Sequence, residues 1–382
     1  MFKDFVNFVK EVYSTNDFIP LHEPKFTGNE KMYVLDTIDS TFVSSIGSYV
    51  DAFEKNIAKY TGAKYAIATV NGTSALHIAL KLAGVESDDE VVTQSLTFVA
   101  TCNAIRYCNA EPVFVDVDQK TLGLSAESLQ TFLDEYCEVR NDGLCWNKVS
   151  NRIVRACLPM HTFGFPVQLD EIKEICDRYK IVLVEDAAES LGSLYKQQHT
   201  GTIGKLAALS FNGNKIITAG GGGVVLTNDE EMAIRIKHIT TTAKIPHKWD
   251  FVHDEVAYNY RMPNLNAALV VAQLESLPAF IEKKRALAHR YQEWGDENHF
   301  QFVKEPDNTK SNYWLNTVVV ENKEEQTAML EYTNSHGVMT RPIWMPMHRL
   351  KMNHFCQSVE LTNTEWLADR LVNLPSSVAM DD

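Results

Sequence analysis

Between residues 65 and 185, short β-branched runs alternate with amphipathic helical patterns, and this alternation restricts the possible folds more than any other feature of the sequence. Ala66-Ile-Ala-Thr-Val70, Glu90-Val-Val-Thr93, Pro112-Val-Phe-Val-Asp116, Ile153-Val-Arg-Ala-Cys157 and Ile181-Val-Leu-Val-Glu185 each read as a buried strand. Helical patterns occupy residues 75–83, 97–108, 125–136 and 169–180. Such alternation predicts an α/β fold with a mainly parallel sheet covered by helices on both faces. The polar stretch 138–151 reads as a surface insertion. In open sheets of this kind, ligands bind beyond the carboxyl ends of the strands. Three polar groups fall at such ends: Asn71-Gly-Thr-Ser74, His161 in Met160-His-Thr-Phe-Gly164, and Glu185-Asp-Ala-Ala-Glu189.

The remaining segments suggest how the 382 residues divide. Residues 1–15, 29–40 and 49–60 read as helices of an opening segment, 1–60, that wraps over the rest rather than forming a core. Residues 61–262 make the large α/β domain, closing with a strand at 223–227 and a helix at 229–239. Residues 263–294 read as a linking helix, continuous or joined near Pro278. A strand at 314–320, a helix at 324–335 and a strand at 338–341 place a smaller α+β domain at 295–382.

A net charge of −14 argues against a nucleic-acid partner, because a polyanion would be repelled. Seven cysteines, an odd number with no Cys-x-x-Cys pair, point to reduced thiols in a cytoplasmic protein, with neither disulfides nor a metal site. The amphipathic stretch 1–10 lacks the long apolar core of a signal peptide or a membrane span.

The chemistry centres on Ser210-Phe-Asn-Gly-Asn-Lys215, which is followed by four glycines at 220–223. A lysine held on a glycine-rich turn has room for a flat ligand beside its amine. Lysine forms imines with carbonyl compounds when the amine is held neutral, and pyridoxal phosphate is the common cofactor bound in this way. That cofactor needs an acid at its ring nitrogen, and Asp186 follows a buried strand. A charge-assisted bond there contributes roughly 1.5–3 kcal/mol. Thr73 and Ser74 open a helix whose free N–H groups suit a phosphate. Each of these residues taken singly has an ordinary explanation, as an exposed lysine, a turn aspartate or a helix cap. Their combination is what carries the argument.

The segments Asn71-Gly-Thr-Ser-Ala-Leu-His77, Thr97-Phe-Val-Ala100, Glu185-Asp-Ala-Ala188, Ser210 to Lys215, Gly220 to Gly223 and Tyr258-Asn-Tyr-Arg-Met262 occur in order. In this the chain resembles the DegT/DnrJ/StrS family of sugar aminotransferases, pyridoxal-phosphate enzymes of fold type I, from about residue 20 onward. The resemblance implies that Lys215 bonds the cofactor and that Asp186 meets its pyridinium nitrogen. It implies that Phe98 stacks on the ring, that Thr73, Ser74 and Ser210 cradle the phosphate, and that Asn259 reaches in from a second subunit of a homodimer. Glu189 stands near the ring's phenolic oxygen, where the family more commonly has glutamine or histidine. His161, Arg341 and His348 fall in segments that resemble the family's sugar-nucleotide surroundings. Pro20-Leu-His-Glu-Pro24, Ser40-Thr-Phe-Val-Ser-Ser45 and Glu185 to Gly192 are most similar to the branch serving legionaminic-type acids. That branch transfers an amino group from glutamate to carbon 4 of a nucleotide-linked 4-keto-6-deoxy sugar. Alternatives with the same fold are a sugar dehydratase, which carries histidine in place of the lysine, and a catalytically silent sugar-binding regulator. A nicotinamide dehydrogenase is disfavoured because no Gly-x-Gly-x-x-Gly opens a helix after a strand.

Overall fold

A computed structural model describes residues 2–378; Met1 and residues 379–382, the end of the expected C-terminal domain, lie outside the described residues. Seven strands form the central sheet: β1 (Tyr65–Thr69), β2 (Glu90–Gln94), β3 (Glu111–Val115), β4 (Val154–Leu158), β5 (Val182–Asp186), β6 (Leu206–Ser210) and β7 (Gly223–Thr227). Their spatial order is β1-β7-β6-β5-β4-β2-β3. Only β7 runs antiparallel to its neighbours, so the other six point their carboxyl ends to one edge. The strands are buried almost throughout, as expected of a sheet covered on both faces.

Local chemistry sets the helix starts. Asn71 accepts from the Ser74 N–H to begin α4 (Gly72–Leu82), Ser125 caps α6 (Ala126–Tyr136), and Asp229 caps α8 (Glu230–Thr240). The other helices of this half are α5 (Val99–Tyr107) and α7 (Leu169–Tyr179). The polar stretch 138–151 is tied down by a hairpin pairing Cys137–Val139 with Cys145–Asn147.

A 35-residue helix, α9 (Asn264–Asn298), runs unbroken through Pro278 and connects the two halves. Its first half buries Ala267, Val270, Leu274 and Leu277 beside Phe53 and Ile57 of α3 (Ser48–Thr61). Polar ties to α2 (Glu30–Asp39) include Gln273 donating to Glu30 at 2.6 Å and Tyr33 donating to Glu275 at 2.8 Å. Among the described residues α9 alone is long and apolar enough to cross a membrane; its buried side chains pack in both protein cores.

The C-terminal half is a four-stranded antiparallel sheet, β8 (Gln301–Phe302), β9 (Asn316–Val319), β10 (Arg341–Pro342) and β11 (Leu371–Leu374), in the order β8-β9-β11-β10. It carries α10 (Lys323–Ser335) and α11 (Thr362–Ala368). Two expectations are corrected here. Helix α1 (Phe2–Val12) does not merely wrap over the surface: Phe5, Val6, Val9 and Val12 enter one core with Leu287, Tyr291, Val318, Met329 and Leu374. Its apolar face needs cover, and the small sheet supplies it. The strand expected at 338–341 begins only at Arg341, because Val338 bridges to Ile19 instead.

Candidate active site

The chain turns at the carboxyl ends of β1, β5 and β6 meet around a cavity of about 380 Å³, within the range of small-ligand sites. Lys215 lies on the turn after β6, which is held by Phe211 N–H to Gly222 O and Ala219 N–H to Phe211 O, both 2.9 Å. Its Nζ is 3.0 Å from Glu189 Oε1 and 3.9 Å from the centre of the Trp314 ring. Trp314 is fixed at both ends. Its Nε1–H donates to Asn214 O at 2.7 Å, and its carbonyl accepts from the buried Lys284 ammonium at 3.1 Å.

The glycines act differently from the sequence expectation of a slot beside the amine. A Cβ on Gly223 would lie 2.3 Å from Asn71 O, and one on Gly72 would lie 2.8 Å from Ser210 Cβ. They let β6, β7 and the start of α4 approach closely. None of the four glycines at 220–223 lines the cavity that holds the amine; its wall includes Met160, Ala188 and Phe98.

Asp186 is buried, with Oδ2 accepting from Thr101 Oγ1 at 2.8 Å and Oδ1 from Ala188 N–H at 3.2 Å. Burial pushes its carboxyl up, and the Thr101 hydroxyl, Ala188 N–H and Lys215 charge offset only part of that. An acid in this state gains from a cationic N–H donor, and it lines the cavity. The same cavity is lined by Asn71, Gly72 and Thr73 of the α4 start, with Ser210 beside Gly72. The first-turn N–H groups of an 11-residue helix make that end suited to an anion. One cavity thus brings together an acid, a helix start, an amine and aromatic rings, the set of groups that a flat phosphorylated pyridine needs.

Glu189 joins the group from the loop after β5. Its Oε2 accepts from Phe163 N–H at 3.0 Å, and burial pushes its carboxyl up to about 7 despite the neighbouring Lys215 charge.

A model of the DegT/DnrJ/EryC1/StrS aminotransferase family matches residues 24–382. The chain belongs to this family. It is 34% identical over 359 residues to GDP-perosamine synthase of Escherichia coli O157:H7, covering 94% of this chain and 93% of that one. The GDP-perosamine synthase of Vibrio cholerae is 33% identical, covering 94% of each. Among solved structures, the aminotransferase TlmJ from Streptoalloteichus hindustanus superposes with a TM-score of 0.86 at 25% identity, covering 96% of this chain and 95% of that one.

The other residues singled out in the sequence take varied places in this aminotransferase. Phe98 is 46% exposed and stands edge-on to Trp344, ring centres 6.0 Å apart, on the cavity wall. Ser74 is buried behind the wall, its N–H committed to Asn71. Asn259 is exposed, away from the cavity of its own chain, and accepts from Arg261 Nε at 3.2 Å. His161 is fully buried and does not line the cavity. Its Nε2 meets Glu185 Oε2 at 3.0 Å and its Nδ1 accepts from Val167 N–H at 3.3 Å, so it braces the loop after β4. Glu185 also accepts from the N–H groups of Gly201, Ile203 and Gly204. Burial raises that carboxyl, yet His161 and these N–H groups outweigh it and hold it below the usual range. His348 likewise has both nitrogens engaged, with Ser95 Oγ and Glu365 Oε1, each at 2.7 Å. It is a strut between the β2 loop and α11. Arg341 donates to Asn334 Oδ1 and Thr340 O and faces a second chamber next to the first. Sequence reasoning missed Trp314, Trp344, Met160 and Thr101. The two tryptophans come from the C-terminal half, and nothing local distinguishes them from core residues.

Proposed function

We propose that this aminotransferase moves an amino group from glutamate to carbon 4 of a nucleotide-linked 4-keto-6-deoxy sugar bearing an acetamido group at carbon 2. The route would be surface-glycan or nonulosonic acid biosynthesis of the legionaminic type. The observation that carries the reading is that the Lys215 amine, the Asp186 carboxylate and the first turn of α4 lie on the walls of one cavity. The names of its relatives as GDP-perosamine synthases support a nucleotide-sugar substrate.

The cofactor is pyridoxal 5′-phosphate, which supplies an aldehyde for the donor amine and a ring that stabilises negative charge at the deprotonated carbon. Asp186 would hold the proton on the ring nitrogen. Thr73, Ser210 and the α4 N–H groups would hold the phosphate, with Ser74 shaping that turn from behind, and Phe98 would stack on the ring. Lys215 would hold the aldehyde and, once its amine is free, would carry a proton away from the donor carbon in the first half-reaction and deliver one to carbon 4 of the sugar in the second. Proton transfer by a positioned group typically contributes roughly 10²–10⁴-fold. Glu189, when protonated, would donate a hydrogen bond to the cofactor's phenolic oxygen instead of repelling it. Trp314 and Trp344 restrict water at the amine.

The working unit in this reading is a cytoplasmic homodimer in which Asn259 completes the partner's phosphate site. Exposed Trp249, Phe251 and Val256 near Asn259, and Met32, Leu35 and Ile38 on α2, supply apolar surface for a second copy.

Product mass spectrometry with a panel of 4-keto sugar nucleotides and glutamate tests the assignment, with a mass change of keto to amine expected. Lys215→Ala should abolish both turnover and the cofactor's long-wavelength absorbance; a variant that keeps both removes the assignment. A lysine in place of histidine already disfavours the dehydratase, and a glutamate-dependent absorbance change would exclude a silent regulator.

A further inference from the structure

Behind the cavity wall, two threonine hydroxyls stand in line with Asp186. Thr101 Oγ1 donates to Asp186 Oδ2 at 2.8 Å, Thr97 Oγ1 lies 2.7 Å from Thr101 Oγ1, and Met160 Sδ is 2.8 Å from Thr97 Oγ1. All four residues are buried. The spacing comes from the start of α5, where Thr97 and Thr101 are one helical turn apart and Phe98 and Ala100 between them line the cavity instead. Neither threonine lines the cavity, so the hydroxyls act on a ligand there only through the carboxylate.

Counting protons gives the line a direction. A hydroxyl has one proton to give and can also accept. When Asp186 is ionised, Thr101 spends its proton on the carboxylate, so the contact between the hydroxyls is made by Thr97 donating to Thr101. When Asp186 carries a proton on Oδ2, the line reverses: the carboxyl donates to Thr101, Thr101 to Thr97, and Thr97 to the Met160 thioether. The first arrangement places every proton on an oxygen acceptor, whereas the second ends on sulfur, a weak one. Hydroxyls in series also polarise one another. The line therefore favours the ionised acid while leaving neither form without a partner.

This matters because burial works the other way and pushes the carboxyl up. Of the groups that oppose burial, the Thr101 hydroxyl is the largest, ahead of Ala188 N–H, Lys215 and His161. Glu189 and Cys102 are the other titratable neighbours.

We infer that Thr101, backed by Thr97, is a positioning residue that holds Asp186 as an ionised acceptor and so makes the site select a ligand with a protonated ring nitrogen. This rests on the reading of Asp186 as the partner of the cofactor's ring nitrogen.

The test titrates full-length, cofactor-free protein with pyridoxal phosphate and with the analogue carrying C–H in place of the ring nitrogen. The analogue has no proton to donate and leaves a buried carboxylate unpaired. The wild type should bind pyridoxal phosphate roughly tenfold or more tightly at neutral pH, the effect of one charge-assisted hydrogen bond. In Thr101→Val the carboxyl takes up a proton more readily and tolerates the analogue, so the ratio should fall several-fold. The pH at which the analogue's affinity declines should also move up, because that decline follows ionisation of Asp186. Thr101→Ser, which keeps the hydroxyl, should restore both, and Thr97→Val should lower the ratio less than Thr101→Val does. Thermal melting confirms that each variant is folded. A Thr101→Val protein with the ratio and pH profile of the wild type overturns the inference and leaves the reading of Asp186 standing; if that variant does not fold, an unchanged ratio in Thr97→Val overturns it equally. A wild type that binds both ligands alike overturns the reading of Asp186 as well.

Discussion

The Lys215 amine and the Glu189 carboxylate lie 3.0 Å apart, with Glu189 almost wholly enclosed. Its carboxyl titrates at about 7 against an ordinary 4.5, chiefly through burial, so the folded protein holds this proton more tightly than the unfolded chain does. The contribution of this group to stability therefore declines as pH rises from 4.5 to about 7 and is level beyond, a loss on the order of 3 kcal/mol. In cofactor-free protein, the melting temperature of Glu189→Gln should change less over that window than that of the wild type. Parallel curves would show that Glu189 is ionised throughout.

Asp186→Asn should keep the fold and bind the cofactor, because its amide oxygen can accept from Ala188 N–H while its NH2 donates to the Thr101 hydroxyl, which can accept as well as donate. The protonated ring nitrogen would lose its charged partner. Turnover is expected to fall roughly 10- to 100-fold, corresponding to a charge-assisted hydrogen bond of about 1.5–3 kcal/mol. Steady-state kinetics with glutamate decide it, and an unaltered kcat would remove Asp186 from the chemistry.

Gly223→Ala puts a methyl 2.3 Å from Asn71 O, which the backbone must move to accept. Overpacking of this kind costs about 1–3 kcal/mol, and the displaced atom belongs to the turn that begins the phosphate end. A lower melting temperature together with weaker pyridoxal-phosphate affinity is the expected result. Gly213→Ala has no atom within 4 Å of the added methyl and should be neutral in thermal melting.

Trp249 and Phe251 are 68% and 78% exposed in the isolated chain. Introducing Trp249→Asp and Phe251→Asp together should shift the protein from dimer to monomer in light scattering and weaken cofactor retention. A wild type that is monomeric at working concentration would rule out a shared site.

The sheet was legible from the β-branched runs of β1 to β5, and the meeting of Asp186 and Lys215 on one cavity was legible because the acid follows the β5 run and the amine precedes a run of glycines. β6 was harder: Leu206-Ala-Ala-Leu209 contains no β-branched residue and is buried without alternation, so periodicity is silent. The histidines were misjudged for a physical reason. Successive residues on a strand face opposite sides, so Glu185 points away from Asp186 and takes His161 with it into the interior. Trp314 and Trp344 reach the cavity through tertiary packing, which no local pattern encodes. The role of α1 was hidden similarly, since its partners lie at the far end of the sequence.

That last arrangement bears on biogenesis. Helix α1 is made well before β11, yet its resting place includes Leu374 of that strand. Its apolar stripe of Phe5, Val6 and Val9 thus stays incompletely covered until β11 has emerged, so nascent chains of this enzyme should require chaperone protection over that stripe until then.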